Sequence, residues 1–249
     1  MKKWLYILCI FTATSAFGAE FFISAGGGGL LGYMFTRYTL DANGEREGTA
    51  VNAEVTQKLD QLNYGGFVFL DVTYAELSVS IQKGNYKYSD IMDISVLDES
   101  SNISGRGWET IMGFSLMGKY PFALSETFSI FPMVGIEYQV SLLQTRTQAD
   151  GFVYSRDDGL REKNKDGKAL RLRDWNSFWI KLGCGVDFAI TRAIFARTEV
   201  FYGFRFMTPY EIDGLEIAKK QTYDPSPDKT GLTSGPSVRL SAGYKFFTK

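Results

Sequence analysis

The feature that most restricts this chain is an alternation of period two. Between Thr127 and Leu142 the even positions read Phe128, Ile130, Pro132, Val134, Ile136, Tyr138, Val140 and Leu142, while the odd ones include Ser129, Gly135, Glu137, Gln139 and Ser141. A strand turns these two sets to opposite faces, whereas a helix would mix them. The split recurs in Trp175–Ile190, Ile194–Phe206 and the stretch around Val238–Phe246, and more weakly in about Phe21–Thr39, Leu62–Tyr74, Glu76–Tyr88 and Trp108–Tyr120. Eight strands are therefore expected, and the fold class is all-β.

The connections decide which kind of all-β protein this is. Long polar connections over about 41–60, 90–106, 144–174 and 208–235 alternate with short ones near Tyr74–Ala75, Pro121–Glu126 and Ile190–Arg192. A soluble sandwich has no reason to alternate so regularly. A transmembrane antiparallel up-and-down barrel does, because its short turns face the periplasm and its long loops face outward. Aromatics on the apolar face make an independent check. Tyr74, Tyr120, Phe128, Phe188 and Phe246 fall near the short-turn rim, and Tyr33, Tyr64, Trp108, Phe178 and Phe204 near the long-loop rim. Two aromatic girdles separated by aliphatic residues are what the two lipid interfaces favour.

The first residues have the form of an address. Lys2 and Lys3 precede an apolar Trp4–Thr12, and Ala16-Phe17-Gly18 fits a small-x-small cleavage pattern. Residues 1–18 are read as a cleaved signal peptide and 19–249 as the barrel. Cys9 lies deep in the apolar segment, without the small residues that precede a lipidated cysteine, and Cys184 is then left alone without an internal disulfide partner. No later stretch offers the ~18 continuous apolar residues of a transmembrane helix.

The polar face of the strands gathers six acids, Asp71, Glu76, Glu109, Glu137, Asp187 and Glu199, and six bases, Lys119, Lys181, Arg197, Arg205, Arg239 and Lys245. An eight-stranded barrel has an interior that side chains can fill, so these charges are expected to pair into a salt-bridged plug. The competing expectation is a polar file that conducts water or a small solute. Inner glycines Gly26, Gly28 and Gly32 open local space beside either arrangement.

Three motifs have blander explanations. Gly26-Gly27-Gly28-Gly29 is not followed by the Gly-Lys-Ser/Thr of a phosphate loop, and close strand packing accounts for it. Asp157-Asp158-Gly159 and Lys165-Asp166-Gly167 lack the carboxylate spacing of a calcium loop and fit turns. The chain has no His, which removes the usual general base and a common metal ligand; no cofactor or metal is expected. Its 27 Lys+Arg nearly balance 28 Asp+Glu, which argues against nucleic acid as a partner.

With these features on the page the chain resembles the small eight-stranded bacterial outer-membrane barrels of the outer-membrane protein X, A and W type. The resemblance covers the whole mature chain and rests on pattern. Its most specific piece is Arg239-Leu240-Ser241-Ala242-Gly243-Tyr244-Lys245-Phe246. That stretch is similar to the polar-x-Gly-x-x-aromatic-x-aromatic signal read by the outer-membrane assembly machinery, with Arg239, Ser241, Tyr244 and Phe246 as the matching positions. Ser241 stands where Gly is usual, and Thr248-Lys249 follow where many members end on Phe. The resemblance implies outer-membrane lipid and the assembly machinery as partners, a monomer, and loops at the surface of a diderm bacterium. Barrel enzymes of this kind use a catalytic His, so an enzyme is not expected here.

Two roles follow. One is structural or adhesin-like: the third outer loop carries Arg156, Arg161, Lys163, Lys165 and Lys168 as candidate contacts for a host or surface ligand, although its mixed charge reads first as a solvated hairpin with strand-like Gly151–Ser155 and Ala169–Leu172. The other is a narrow porin-like conduit for small hydrophobic or polar solutes. Passage of small hydrophobic molecules is what the resemblance to the outer-membrane protein W family implies, and inward Leu30, Met34, Phe67, Phe69 and Phe131 are its candidate lining. The fourth loop, with Asp224-Pro225-Ser226-Pro227-Asp228, is expected to be irregular or mobile.

Overall fold

A computed structural model describes residues 21–46, 49–94, 99–148, 153–155, 176–206 and 223–248. Ten strands follow in chain order: β1 (Phe22–Arg46), β2 (Thr49–Val72), β3 (Ala75–Ile94), β4 (Glu99–Lys119), β5 (Phe122–Ala123), β6 (Phe128–Gln148), β7 (Val153–Ser155), β8 (Ser177–Ala189), β9 (Ile194–Arg205) and β10 (Tyr223–Thr248). The eight long ones pair antiparallel in the order β4-β3-β2-β1-β10-β9-β8-β6, and pairing of β4 with β6 closes the wall. The two short ones are additions to β6: β5 pairs with Ile130 and Ser129, and β7 with Thr145–Thr147. The candidate signal peptide and all five candidate loop contacts, Arg156 to Lys168, lie outside the described residues, as does Ala169–Leu172.

The alternation seen in the sequence is the inside and outside of this wall. Along β8 the side chains run buried Ser177, exposed Phe178, buried Trp179, then buried Lys181 and exposed Leu182. Leu31, Val68, Leu77, Ile81, Val134 and Leu240 stand out as exposed aliphatics, which a protein in water would not tolerate as one continuous belt. Cys184 is on this outer face. In the short-turn girdle Tyr74, Phe128, Phe188 and Phe246 are exposed, and Tyr120 is half-buried against Tyr74 and Phe122 at ring separations of 5.8 and 4.9 Å. In the other girdle Tyr33, Tyr64, Phe178 and Phe204 are exposed, and Trp108 is half-buried beneath Lys83. Tyr64 and Tyr74 bracket the membrane-spanning part of β2, roughly 25 Å of height once strand rise and tilt are combined.

Two expectations about the connections require correction. The described residues of 41–60 and 90–106 are strand rather than loop. β1 and β2 stay paired out to Arg46↔Thr49, and β3 and β4 out to Ile94↔Glu99. Beyond the membrane both faces of a hairpin meet water, so the alternation that reveals a strand disappears while the backbone ladder continues. β1 continues 13 residues past Tyr33, roughly 30 Å of projection at ordinary rise and tilt. The Asp224–Asp228 segment is likewise strand, not irregular: Asp224 pairs with Asn43 and Pro225 with Ala42. β9 ends at Arg205, opposite Thr233, so among the described residues this part of β10 has a neighbour only on the β1 side. A proline, which lacks an N–H, is tolerated on such an edge.

Inner glycines make room for large side chains. A Cβ on Gly185 would overlap the ring of Phe131, one on Gly243 the ring of Phe195, and one on Gly26 would come within 2.7 Å of Cζ of Phe69. The wall thus presents bare backbone where each aromatic lies flat against it. Gly185→Val is expected to push Phe131 out of this position at a cost of ~1–3 kcal/mol. A lowered urea midpoint, recovered by adding Phe131→Leu, would show this; an unchanged midpoint would refute the contact.

Candidate functional site: the barrel lumen

The lumen is filled in layers. Eleven of the twelve charged residues assigned to it from the sequence are exposed by 9% or less; Lys245 is half-buried at the short-turn mouth. Nearest that mouth, β9 places Arg197 on the barrel axis. Its guanidinium donates to Asp187 at 2.6 and 2.8 Å, to Asp71 at 2.7 Å and to Glu76 at 2.7 Å. Lys119 donates to the same Asp71 oxygen as Arg197. The rings of Phe69, Phe131 and Phe195 surround the guanidinium carbon at 5.0, 5.0 and 4.9 Å. A planar, delocalised cation is the side chain suited to both roles, because its edge serves carboxylates while its faces lie on aromatic rings.

The next layer is built on Arg239 of β10. It lies over Phe67 and Phe201, at 4.9 and 5.2 Å, and donates to Glu137 and to the Ser78 hydroxyl, both at 3.2 Å. Lys181 donates to the same Glu137 oxygen at 2.7 Å, and Gln139 to the other at 2.6 Å. Arg239 also lies 3.5 Å from Glu76, which joins the two layers. Glu199 is fully buried 4.0 Å from Arg197 and lies beside the Glu76 carboxyl.

Farther out amides and hydroxyls predominate, gathered around one acid, Glu109. Gln61 donates to Glu109 at 2.5 Å and to Asn63 at 2.7 Å. Trp179 donates through Nε1 to Gln139 at 3.0 Å and to Ser177 at 3.1 Å. Above these, Met34, Leu59, Tyr86, Tyr88 and Trp179 form a buried apolar cap, and the guanidinium of Arg205 lies 5.8 Å over Trp179.

Of the candidate tunnel residues, Leu30 and Met34 line one small cavity, and the other three pack elsewhere. Met34 belongs to this outer cap, Phe131 packs with Met117, Met133 and Phe201, and Phe67 and Phe69 pack with Phe195, with Leu30 against them. A cavity of about 30 Å³ lies between Asn63, Gln82, Gln139, Lys181 and Arg239, room for a water or two rather than a solute. Beside it the β1–β10 ladder is interrupted at Pro236, passing from Gly32↔Ser237 to Phe35↔Ser234. At the short-turn mouth a wider space of about 680 Å³ opens between Phe22, Phe122, Phe128 and Lys245.

Sequence reasoning found the charges and missed their hydrogen-bonding partners Gln61 and Ser78 and three aromatic ones, Trp179, Phe195 and Phe201. Each occupies an inward position of a strand whose alternation was already recognised, so parity alone would have found them. In the candidate assembly segment Arg239 is buried in the lumen, Ser241 is half-buried, and Tyr244 and Phe246 face outward 5.3 Å apart.

The closed ring, the apolar belt and the two aromatic rims define a transmembrane β-barrel of the outer-membrane type, with the long hairpins projecting beyond one rim. No protein-family model and no curated protein matches the chain. Among solved structures it is similar to the outer membrane protein OprG from Pseudomonas aeruginosa, at 13% identity over 92% of this chain and 98% of that one, TM-score 0.36. It is similar to Ail, the attachment invasion locus protein of Yersinia pestis in complex with the heparin analogue sucrose octasulfate, at 13% identity over 89% and 99%, TM-score 0.30. The outer membrane protease OmpT from Escherichia coli aligns at 11% identity over 92% and 97%, TM-score 0.37.

Proposed function

We propose that this protein is a non-enzymatic outer-membrane barrel with an electrostatically closed lumen, whose projecting hairpins serve a structural or adhesin-like role at the cell surface. The observation that supports it most is the shape of the wall above the outer aromatic girdle. There β10, β1, β2, β3 and β4 remain paired, while β9 ends at Arg205 and β8 begins only at Ser177. Among the described residues these five strands thus rise far out of the membrane as a sheet, and β6 follows β4 as far as Gly105↔Gln148. Among the described residues, Tyr223–Leu232 and Glu99–Ser104 are its unpaired edges. Unpaired backbone donors and acceptors at an edge are a ready surface for a partner strand. The plug below is the fitting counterpart: a barrel packed with paired charge and aromatic rings is a rigid support.

The interrupted ladder at Pro236 favours a second reading, a conduit whose cavity opens sideways between β1 and β10. One experiment separates the two. Refolded protein in planar bilayers is expected to give no stable conductance steps. A version with hairpin 40–55 shortened to a tight turn and 156–168 removed is expected to keep barrel assembly and lose most binding to host cells or matrix. Nanosiemens-range channels would overturn the closed lumen, and unchanged binding would overturn the contact role.

A further inference from the structure

Among the described residues the outer wall gathers positive charge on the β1–β4 side. On β1–β4 the register sets outward residues in rows: Tyr33–Leu62–Asn85–Trp108, then Phe35–Asp60–Lys87–Arg106, with Arg37–Lys58 beyond them. Lys83 lies one row nearer the membrane centre, beside Tyr64, and its ammonium reaches back over Trp108 at 5.1 Å. Arg37, Lys58, Lys83, Lys87 and Arg106 are all exposed. Within these rows the one acid, Asp60, is taken up by Arg37 at 2.8 Å. Four strands and four rows make a patch roughly 15 Å wide and 20 Å tall. On the opposite half of the wall the exposed side chains at this height include Leu142, Leu143, Phe204, Phe206 and Leu232.

Asp60, which pairs with Arg37 and is also the direct cross-strand neighbour of Lys87, offsets part of this charge, and the remaining positive excess is unfavourable for the protein alone. Arg37 is the direct cross-strand neighbour of Lys58, and Lys87 of Arg106. Like charges facing each other across a ladder repel. An anion bridging each pair reverses the sign. The position selects its source: the cations border the Tyr and Trp girdle, where headgroups lie, and exposed Leu31, Leu62 and Ile81 continue the same sector into the apolar belt. We propose that this β1–β4 patch binds the phosphates of a phosphorylated glycolipid of the outer leaflet, with the acyl chains lying on the aliphatic wall beneath. Lysine and arginine hydrogen-bond phosphate with charge assistance, and the apolar belt supplies what a soluble anion cannot use.

The test compares refolded full-length protein with Lys58→Gln/Lys87→Gln/Arg106→Gln and with Arg192→Gln, an exposed cation of a short turn. The probes are bisphosphorylated lipid A, the same lipid after enzymatic dephosphorylation, and pyrophosphate; native mass spectrometry reads the lipid retained. The wild type and Arg192→Gln are expected to prefer the phosphorylated lipid by at least ~10-fold, and the triple variant to lose that preference. Equal retention of both lipids by the wild type, or an unchanged preference in the triple variant, would overturn the proposal. Displacement of the lipid by micromolar pyrophosphate would assign the patch to soluble anions and overturn it equally.

Discussion

Arg197→Met is expected to be the most damaging single substitution in the barrel. Arg197 is hydrogen-bonded at once to Asp71, Glu76 and Asp187, and none of its side chain reaches solvent. Removing it leaves three carboxylates around an apolar side chain, with Lys119 still holding only Asp71. Breaking one buried pair costs ~3–5 kcal/mol, and this substitution breaks three contacts that share one cation. Refolding yield into lipid or detergent is expected to collapse, with the surviving fraction unfolding at a much lower urea concentration. The chemistry predicts its own rescue: Arg197→Met combined with Asp187→Asn removes the carboxylate left without a cation, since Asp71 keeps Lys119 and Glu76 keeps Arg239, and should recover much of the loss. Arg197→Lys should fall between, since an ammonium keeps the charge without the planar fork that reaches three acids. A methionine variant that unfolds at the wild-type midpoint would sink the view that this residue holds the plug together.

Glu137→Leu is expected to come second. Glu137 separates Lys181, at 2.7 Å, from Arg239, at 3.2 Å. Without it two buried cations face one another, and only Arg239 retains an acid, Glu76 at 3.5 Å. A loss of ~3–5 kcal/mol follows from leaving a buried charge unpaired. Adding Lys181→Met should restore part of it, while Glu137→Gln, which keeps hydrogen-bonding capacity, should cost less than leucine. Equilibrium urea unfolding of the four proteins measures the coupling directly. If Lys181→Met brings no recovery in the Glu137→Leu background, the repulsion argument fails.

Both expectations depend on contacts between distant parts of the chain. Arg197 and Asp71 are 126 residues apart, Arg239 and Glu137 102. No local pattern announces such a pair. Alternation assigns Asp71 and Arg197 to the inside, because parity decides the face of a strand. It says nothing of height, and two inward charges meet only if they lie at the same level. The stagger of the eight strands sets that level, and the stagger is a property of the closed ring.

The same limit explains the errors about the connections. Polar stretches such as 41–60 were legible as non-membrane segments, since nothing in them is fit for lipid. Their continuation as paired strands was not legible, because a ladder solvated on both faces leaves no periodic trace. Pro225 and Pro227 pointed away from strand by local chemistry, and the open edge of β10 removes the objection. The basic patch was hidden differently. Arg37, Lys58, Lys83, Lys87 and Arg106 are spread over 70 positions of sequence, and pairing of β1 with β2, β2 with β3 and β3 with β4 brings them onto one face.

By itself, then, the amino-acid sequence determined which side chains meet lipid and which turn inward, where the two aromatic rims lie, and that the wall has eight strands. Those follow from parity and transfer chemistry, which act residue by residue. Only the tertiary structure decided that Arg197 would be caged by three rings and three carboxylates, that Arg239 would join two layers, and that five strands would stand above the membrane. Each of these needs the register of strands that closure imposes, and no residue carries that register alone.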